Sequence, residues 1–576
     1  MSRAGAVLLL AAALGAWNLW AYDLWAPDEP YFGEGAREMV ADGQWAVPHV
    51  NGVVTTDKPP LFFWLIAAFS LPFGAVSALT ARLPSLLAGI GTVALTIRLG
   101  RRLGGARHGA MAGWVLATTY LPWDKTRSSQ IDALLCFLVL AAISAFEAYR
   151  AGDARGRPAG ILFWTAAALA VIAKGPVGLL LPLGIAIVTL ALDRKLPAWR
   201  SFAPLTGPLL FLGIVGSWIA LAQIGGHGEY SVWGAFEKHV LSRAIHGLHH
   251  RQPPWYYAEV LPVQLLPWSG LLPGALLLAW WRRRERSDRF LLVWSIFVVL
   301  LFSISTEKRD LYVLPAYPAF ALLFARLIVA AEGSGPQDAG RTRAPHRRWV
   351  TVPLALTGGI LALTGIGLPL AVRRFPEFPT APALVMAAAL LSGGVAMAVA
   401  SLRGRVRGAT LATVAAASLV FLAAASAVYP ALDPFRSARG LAAEVKSISA
   451  ASRAAGEPVL AYRIGNLPQA IAFYSNGLYT RETSDPAELA THLMKTTEVF
   501  ALADRSQLDL LPPAALDRVR VLRSADLASR SVVLISNRGA GPGEGRSAAP
   551  PVSSGGAGGG GEKRSATSRT PRAWTG

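Results

Sequence analysis

The chain of 576 residues has one cysteine, Cys136, so no disulfide can close within it and no thiolate metal cluster can be built. Charge is scarce as well. Only 16% of residues are Asp, Glu, Lys or Arg, against about a quarter in soluble proteins, while 53% are apolar. Acids are the scarcer sign, 35 against 55 Lys and Arg, which leaves a formal charge of +20. The glycine run "GAGGGG" has no Gly-Lys-Ser/Thr ending, which excludes a phosphate loop there. Cys136 itself sits in an apolar run and reads as a small core residue.

Long apolar runs are abundant. Many are long enough to cross about 30 Å of hydrocarbon at about 1.5 Å per residue, and helices satisfy their own amides inside lipid. The fold class read from the sequence is therefore an all-α polytopic membrane protein of about thirteen transmembrane helices. The basic residues cluster in short loops between apolar runs, as in "RLGRRLGGARHG", "WRRRERSDR" and "RGRVRG". That is the pattern of cytoplasmic loops and argues against nucleic acid as the partner. Spans are expected at 4–22, 110–122, 131–149, 161–173, 176–192, 204–224, 257–280, 290–303, 311–331, 349–371, 381–402 and 409–429. Residues 60–97 hold two further apolar stretches, 60–77 and 79–97. Only an odd number of crossings joins the outer Lys58 to the inner Arg101, so one stretch is expected to be short, interfacial or re-entrant. Residues 1–22 resemble a signal peptide but read as an uncleaved first span, because the apolar run continues through Trp17 and Trp20 without a small-residue cleavage site.

Residues 1–429 thus form the transmembrane domain, with outer loops at 23–59 and 225–256. After 430 the pattern changes. "PVLAYRI", "EVFALAD", "VRVLR" and "SVVLISN" read as strands, and "RSARGLAAEVKSISAAS", "LPQAIAFYSN" and "DPAELATHLMK" as helices. Residues 430–538 are expected to form a small α/β domain on the outer side. Residues 539–576, rich in Gly, Ser, Pro and Ala, are expected to be disordered.

Ionisable residues gather in the outer loops. "APDEPYFGEGAREM" holds Asp28 and Glu29, with Glu34 and Glu38 on one helix face and Arg37 beside Glu34. A carboxylate pair there can serve as base, metal ligand or stabiliser of a developing cation, or can be part of a solvated loop. "TTDKPPLFFW" places Asp57 and Lys58 at the mouth of an apolar run, where a lysine either snorkels or holds a phosphate. Asp132 begins a span and is a functional candidate by its depth; Lys174 in "AKGP" lies between two apolar runs. The 225–256 loop offers four histidines within residues 239–250, beginning with His239, and Arg243 for bidentate phosphate contact. "SISTEKRDLYVLPAYP" brings Lys308 and Tyr312 to a short outer turn.

In order, the Asp-Glu pair, "REM", "VPHVNG", "DKPPLFFWL", "ARLPSLLAG", "AKGP", "PWYY…LPW" and "S…EK…YVLPAYP" resemble the membrane glycosyltransferases of the C-type fold. The nearest are the bacterial 4-amino-4-deoxy-L-arabinose lipid A transferases and the protein-mannosyltransferase-like enzymes. The resemblance runs over residues 1 to about 330 and implies juxtamembrane helices in the first outer loop. It also implies an inverting transferase of the inner membrane that takes a sugar from a polyprenyl-phosphate donor to lipid A or another envelope acceptor on the periplasmic side. Protein O-mannosyl transfer is the alternative, and a lipid-linked-sugar flippase a more distant one. By the same resemblance Asp28, with Glu29 beside it, is catalytic; Lys58, Arg243, Lys308, Tyr312 and Asp132 bind substrate; and Asp57 with His239 offers a place for a divalent metal. One departure stands out. Where the aminoarabinose transferases usually carry Arg-Tyr after the acidic pair, this chain has Tyr31-Phe32, which leaves the sugar and the acceptor open.

Overall fold

The computed structural model describes residues 2–226, 251–333, 344–375, 377–527 and 530–538. Among the described residues, nine helices are long and apolar enough to cross a bilayer: Ala78–Ala117, Ile131–Arg150, Gly156–Lys174, Thr206–Gly225, Arg286–Ile304, Asp310–Ala331, His346–Val372, Thr380–Leu402 and Val406–Ile448. Four shorter apolar helices accompany them: Arg3–Ala16, Leu61–Phe73, Val177–Leu192 and Ser269–Trp281. The protein is a multi-pass helical membrane protein.

Several boundaries differ from the sequence expectation for local reasons. The first helix stops at Ala16, and Asn18 takes a left-handed φ of 56°, which turns residues 17–27 out of the helix and over the bundle end. The stretch 60–77 is the short one, a helix of about 20 Å ending at Gly74 in the left-handed region. Residues 98–103, expected in a loop, continue the Ala78–Ala117 helix. The break is confined to Gly104 and Gly105, the latter at φ 85°. A capping box starts this helix: Ser77 Oγ accepts from the Thr80 amide at 3.2 Å, and Thr80 Oγ1 from the Ser77 amide at 2.9 Å. The expected span 257–280 is divided into Tyr256–Gln264 and Leu272–Trp281, with the fully buried Trp268 between them. The last apolar helix runs beyond 429, through a π segment at Ala424–Val428, to Arg436.

Seven strands occur among the described residues. β1 (His49–Val50) and β2 (Val53–Val54) form a small hairpin within residues 23–59. β3 (Leu460–Tyr462), β4 (Arg481–Thr483), β5 (Phe500–Asp504), β6 (Arg520–Leu527) and β7 (Arg530–Ser536) form one sheet in the order β4-β3-β5-β7-β6. β3 pairs in parallel with β4 and β5, and β7 antiparallel with β5 and β6. Its two faces carry separate apolar cores, one around Val445, Ile471 and Leu534, the other around Leu489, Ala501 and Ile535. β4, short and polar, has no apolar run by which the sequence could announce it.

This sheet region is tied to residues 23–59, the segment between the first two apolar helices. Tyr474 Oη receives the Leu24 amide proton at 2.5 Å. The Asn51 side chain pairs with the Thr480 backbone in both directions, at 2.8 and 2.9 Å. Arg439 Nε donates to Asp23 at 2.9 Å, and Asp433, at the end of the last apolar helix, accepts from the Trp25 indole at 2.7 Å. The loop is therefore held between the bundle and the sheet, with Phe32 packed on Phe62 and Phe63 beneath it.

Candidate active site

Asp28 and Glu29 open the helix Asp28–Asp42, where unpaired amides and the helix dipole favour carboxylates. Their environments are opposite. Glu29 is buried and accepts from Arg82 Nε and Nη2 at 2.8 and 2.9 Å, from the Ser129 amide at 2.8 Å and from the Trp25 amide at 3.0 Å. Arg82 spends its remaining donors on the carbonyls of Leu19, Tyr22 and Asp23, so all five of its N–H groups are used, and it lies 3.8 Å over the Tyr22 ring. Glu29, expected to share the chemistry with Asp28, is instead fastened as scaffold.

Asp28 remains partly exposed, its side chain retaining 21% of its accessible surface. Its Oδ2 accepts from Arg309 Nη2 at 2.6 Å and from Gln130 Nε2 at 2.9 Å, while Oδ1 has a 3.4 Å contact with Arg309 Nη1. Burial alone would raise its pKa. The charge and hydrogen bond of Arg309, with Lys125 and Lys58 further away, outweigh burial and hold it below the ordinary carboxylate value. Arg309 is raised in turn, chiefly by Asp28 against its own desolvation, and it also feels Asp132.

Asp132 and Lys174, drawn from separate helices, form an ion pair, and the Lys174 ammonium lies 4.9 Å from the centre of the Tyr312 ring. Asp124 and Lys125 pair at 2.8 Å, and Tyr429 donates to Asp124 at 3.0 Å. Asp310 takes a 3.3 Å contact from Gln264, whose amide oxygen receives the Tyr317 hydroxyl at 2.8 Å. Arg309, Lys125 and Lys58 thus act on Asp28 itself, and Asp132 and Tyr312 act on Arg309 beside it, at the start of the Ile131–Arg150 helix.

Of the residues singled out from sequence, Asp28, Lys58, Asp132, Lys174 and Tyr312 are drawn into this region. Lys308 is not. It is buried, and it donates to the carbonyls of Gln252 at 2.9 Å and Ser305 at 2.5 Å, fastening the turn to the returning chain at the Arg251–Glu307 bridge. Its neighbour Arg309 is the cation that the turn delivers. Asp57 lies within the electrostatic reach of Glu482, whose pKa burial raises and Asp57 raises further. Arg243 and His239 lie outside the described residues. Among the described residues no group of three or more His, Cys, Asp and Glu side chains converges as a metal site would require. Sequence reading gave no role to Arg309, which it noted only as one of the charges of its turn, or to Gln130 and Lys125. The signal for Lys125 was present, since "DKTRSSQ" sets charges in a short outer loop between apolar runs, as "DKPP" does.

The model of the dolichyl-phosphate-mannose-protein mannosyltransferase family matches residues 57–220. An undecaprenyl phosphate-alpha-4-amino-4-deoxy-L-arabinose arabinosyl transferase of Edwardsiella ictaluri is 31% identical over 316 residues, 54% of this chain and 56% of the relative. One from Sodalis glossinidius is 32% identical over 52% of this chain and 54% of the relative. The matched segment thus spans little more than half the length of these relatives. The crystal structure of ArnT from Cupriavidus metallidurans bound to undecaprenyl phosphate superposes with a TM-score of 0.71 at 19% identity, covering 93% of this chain and 99% of the other. The archaeal oligosaccharyltransferase AglB from Archaeoglobus fulgidus superposes at 0.53 and 11% identity, over 88% of this chain and 69% of the other. The chain has the fold of these membrane glycosyltransferases, and the likeness read from its outer-loop motifs extends to the whole bundle and the sheet beyond it.

Proposed function

We propose that the protein transfers a sugar from a polyprenyl-phosphate donor to lipid A or another envelope acceptor. The reaction end of the bundle would face the periplasm from the inner membrane. The observation that carries this reading is Asp28, partly exposed at the bundle end, ionised by Arg309 and set among cations. The named relatives act on undecaprenyl-phosphate aminoarabinose, and the solved ArnT holds undecaprenyl phosphate.

In this reading Arg309, Lys58 and Lys125 supply the positive field in which the donor phosphate departs, taking the electron pair of the anomeric C–O bond. Tyr312 frames the same space above Lys174. Asp28 faces the developing oxocarbenium charge and stabilises it, while the acceptor oxygen forms the new bond on the face opposite the departing phosphate. If the acceptor is a hydroxyl, its proton passes to Asp28; if it is a phosphate, no proton moves. The Asp132–Lys174 pair holds the floor of the site. Arg243 is assigned to the phosphate by the resemblance alone.

A divalent cation at Asp57 belongs to the same proposal. Asp57 and Glu482 offer hard oxygen donors but are two groups only, so further ligands are required, of which His239 is the one the sequence suggests. Activity lost on chelation and restored by a single metal would establish it. A protein acceptor is the second reading, supported by the family model that matches residues 57–220. The deciding experiment is mass spectrometry of lipid A and of envelope glycoproteins from cells with and without the gene, joined to transfer from a radiolabelled polyprenyl-phosphate sugar by the purified protein. Unchanged envelopes together with no covalent transfer would overturn the proposal.

A further inference from the structure

Gln130 stands out among the buried polar groups that the reaction scheme does not use. It is the last residue before the Ile131–Arg150 helix and only 9% exposed. Its backbone is pinned on both sides: the amide reaches Ser128 O at 2.8 Å and Ser85 Oγ at 3.2 Å, and the carbonyl accepts from Ser85 Oγ at 3.0 Å. The side-chain nitrogen donates to Asp28 Oδ2 at 2.9 Å. An ionised carboxylate only accepts, so the amide must present its nitrogen to Asp28 and its oxygen away from it. That oxygen is buried and has no hydrogen-bond partner. A buried acceptor left unpaired is costly, and this one ends a side chain that already holds the reacting carboxylate, so a ligand that brings a donor to it would relieve that cost.

We propose that Gln130 is a two-sided positioning and specificity residue: its amide nitrogen fixes the Asp28 carboxylate, and its amide oxygen accepts a hydrogen bond from a hydroxyl or amino group of the sugar being transferred. The inference rests on the transferase reading. It adds the substrate class, a sugar carrying a hydrogen-bond donor close to its anomeric carbon. A sugar lacking that donor leaves the buried oxygen unpaired on binding, so the site rejects it through the same atom that the cognate sugar satisfies.

The test compares wild type, Gln130→Met and Gln130→Glu as full-length protein in nanodiscs. The probes are a polyprenyl-phosphate pentose and its monodeoxy analogues, with size-exclusion profiles confirming folded protein. In wild type, one deoxy donor is expected to lose about tenfold in kcat/KM, the worth of one neutral hydrogen bond. In Gln130→Met that penalty disappears while the parent donor falls to the level of its deoxy analogue or below. Gln130→Glu keeps an acceptor and so keeps the discrimination, but its added negative charge moves the acid limb of the pH–rate profile upward through Asp28. Gln130→Glu also serves as the reporter if Gln130→Met does not fold: loss of the discrimination in that variant overturns the proposal. Equal deoxy penalties in wild type and Gln130→Met at every position would overturn the inference and leave the transferase reading intact. Absence of transfer by wild type from any of these donors would remove both.

Discussion

The two ends of the Ile131–Arg150 helix, about 30 Å apart, each carry a charge cluster, and the two differ in kind. At the Arg150 end the acids are closed on every side. Arg150 holds both oxygens of Glu147, and Arg150 and Arg289 hold one oxygen each of Asp193. Each oxygen of these two carboxylates has an arginine partner. At the Ile131 end the Asp28 carboxylate has one well-held oxygen and one with only a 3.4 Å contact. The fields of Arg309, Lys125 and Lys58 converge on it, and the neighbouring Gln130 keeps an unpaired acceptor. Both ends bury charge; only the Ile131 end leaves a carboxylate oxygen loosely held beside an unpaired acceptor. A buried ion cluster whose carboxylate oxygens are all held is architecture, whereas one with unspent hydrogen-bonding capacity is arranged for something that arrives.

The sharpest way to break this contrast is to remove one member at each end. Asp28→Asn keeps the shape and the amide contacts but removes the charge. It is expected to lower transfer by about a thousandfold with an unchanged melting temperature in detergent, the scale of a lost charge-stabilising group. Near-wild-type turnover would remove Asp28 from the chemistry. Arg150→Met should do the reverse. Leaving Glu147 and Asp193 short of partners is expected to cost about 3–5 kcal/mol of stability, seen as a lower melting temperature, with transfer per folded molecule unchanged. A variant that stayed stable but lost turnover would show that the Arg150 cluster is more than architecture.

The same contrast explains what was legible in the sequence. Apolar runs of spanning length and strand runs such as "SVVLISN" announce themselves by local pattern, and the helices and strands fell close to where that pattern set them. Helix breaks did not, because Gly104–Gly105 and the Leu265–Trp268 segment interrupt runs that remain apolar. In the candidate site, Asp132 could be picked out because charge at membrane depth is rare, Lys174 because it interrupts two apolar runs, and Asp28 because it stands in a charged loop that carries the family resemblance. The pairing of Asp132 with Lys174 was not drawn from sequence, although the consecutive helices Ile131–Arg150 and Gly156–Lys174, joined by a short connection, bring the start of one beside the end of the next. Glu29 and Lys308 misled for one reason: each stands beside a residue that faces the site, and sequence alone does not say which of two adjacent charges turns inward to the scaffold. The fully buried Arg82, which settles that question for Glu29, lies in "ARLPSLLAG", a stretch that carries the resemblance but whose pattern names no partner for its arginine.

Arg309→Gln offers a graded intervention on the site. It removes the group that most lowers the pKa of Asp28 against burial, so that pKa must rise. If ionised Asp28 is the active form, the acid limb of the pH–rate profile moves to higher pH, and kcat/KM on the plateau falls by about tenfold to a hundredfold as a charged contact to the leaving phosphate is lost. A plateau loss without movement of the acid limb would assign Arg309 to the phosphate alone.

The smallest expected effect concerns the scaffold of the first outer loop. Glu38 is buried beside Glu34, whose carboxylate is already held bidentately by Arg37 at 2.7 and 2.8 Å. Burial, and next the hydrogen bond Glu38 shares with Glu34, raise its pKa to about 8 despite the Gly52 amide donated to it at 3.1 Å. The folded state therefore binds this proton more tightly than the unfolded state, whose carboxyl titrates near its ordinary value. Between those two values the folded chain carries more protons, so stability must fall as pH rises. The contribution is complete below the unfolded pKa of about 4.3 and is lost progressively as pH approaches about 8. Glu38→Gln keeps a donor toward Glu34 and has no proton to lose. The melting temperature of wild type should drop by a few degrees between pH 5 and 8 relative to the variant, and parallel curves would show that Glu38 is ionised throughout.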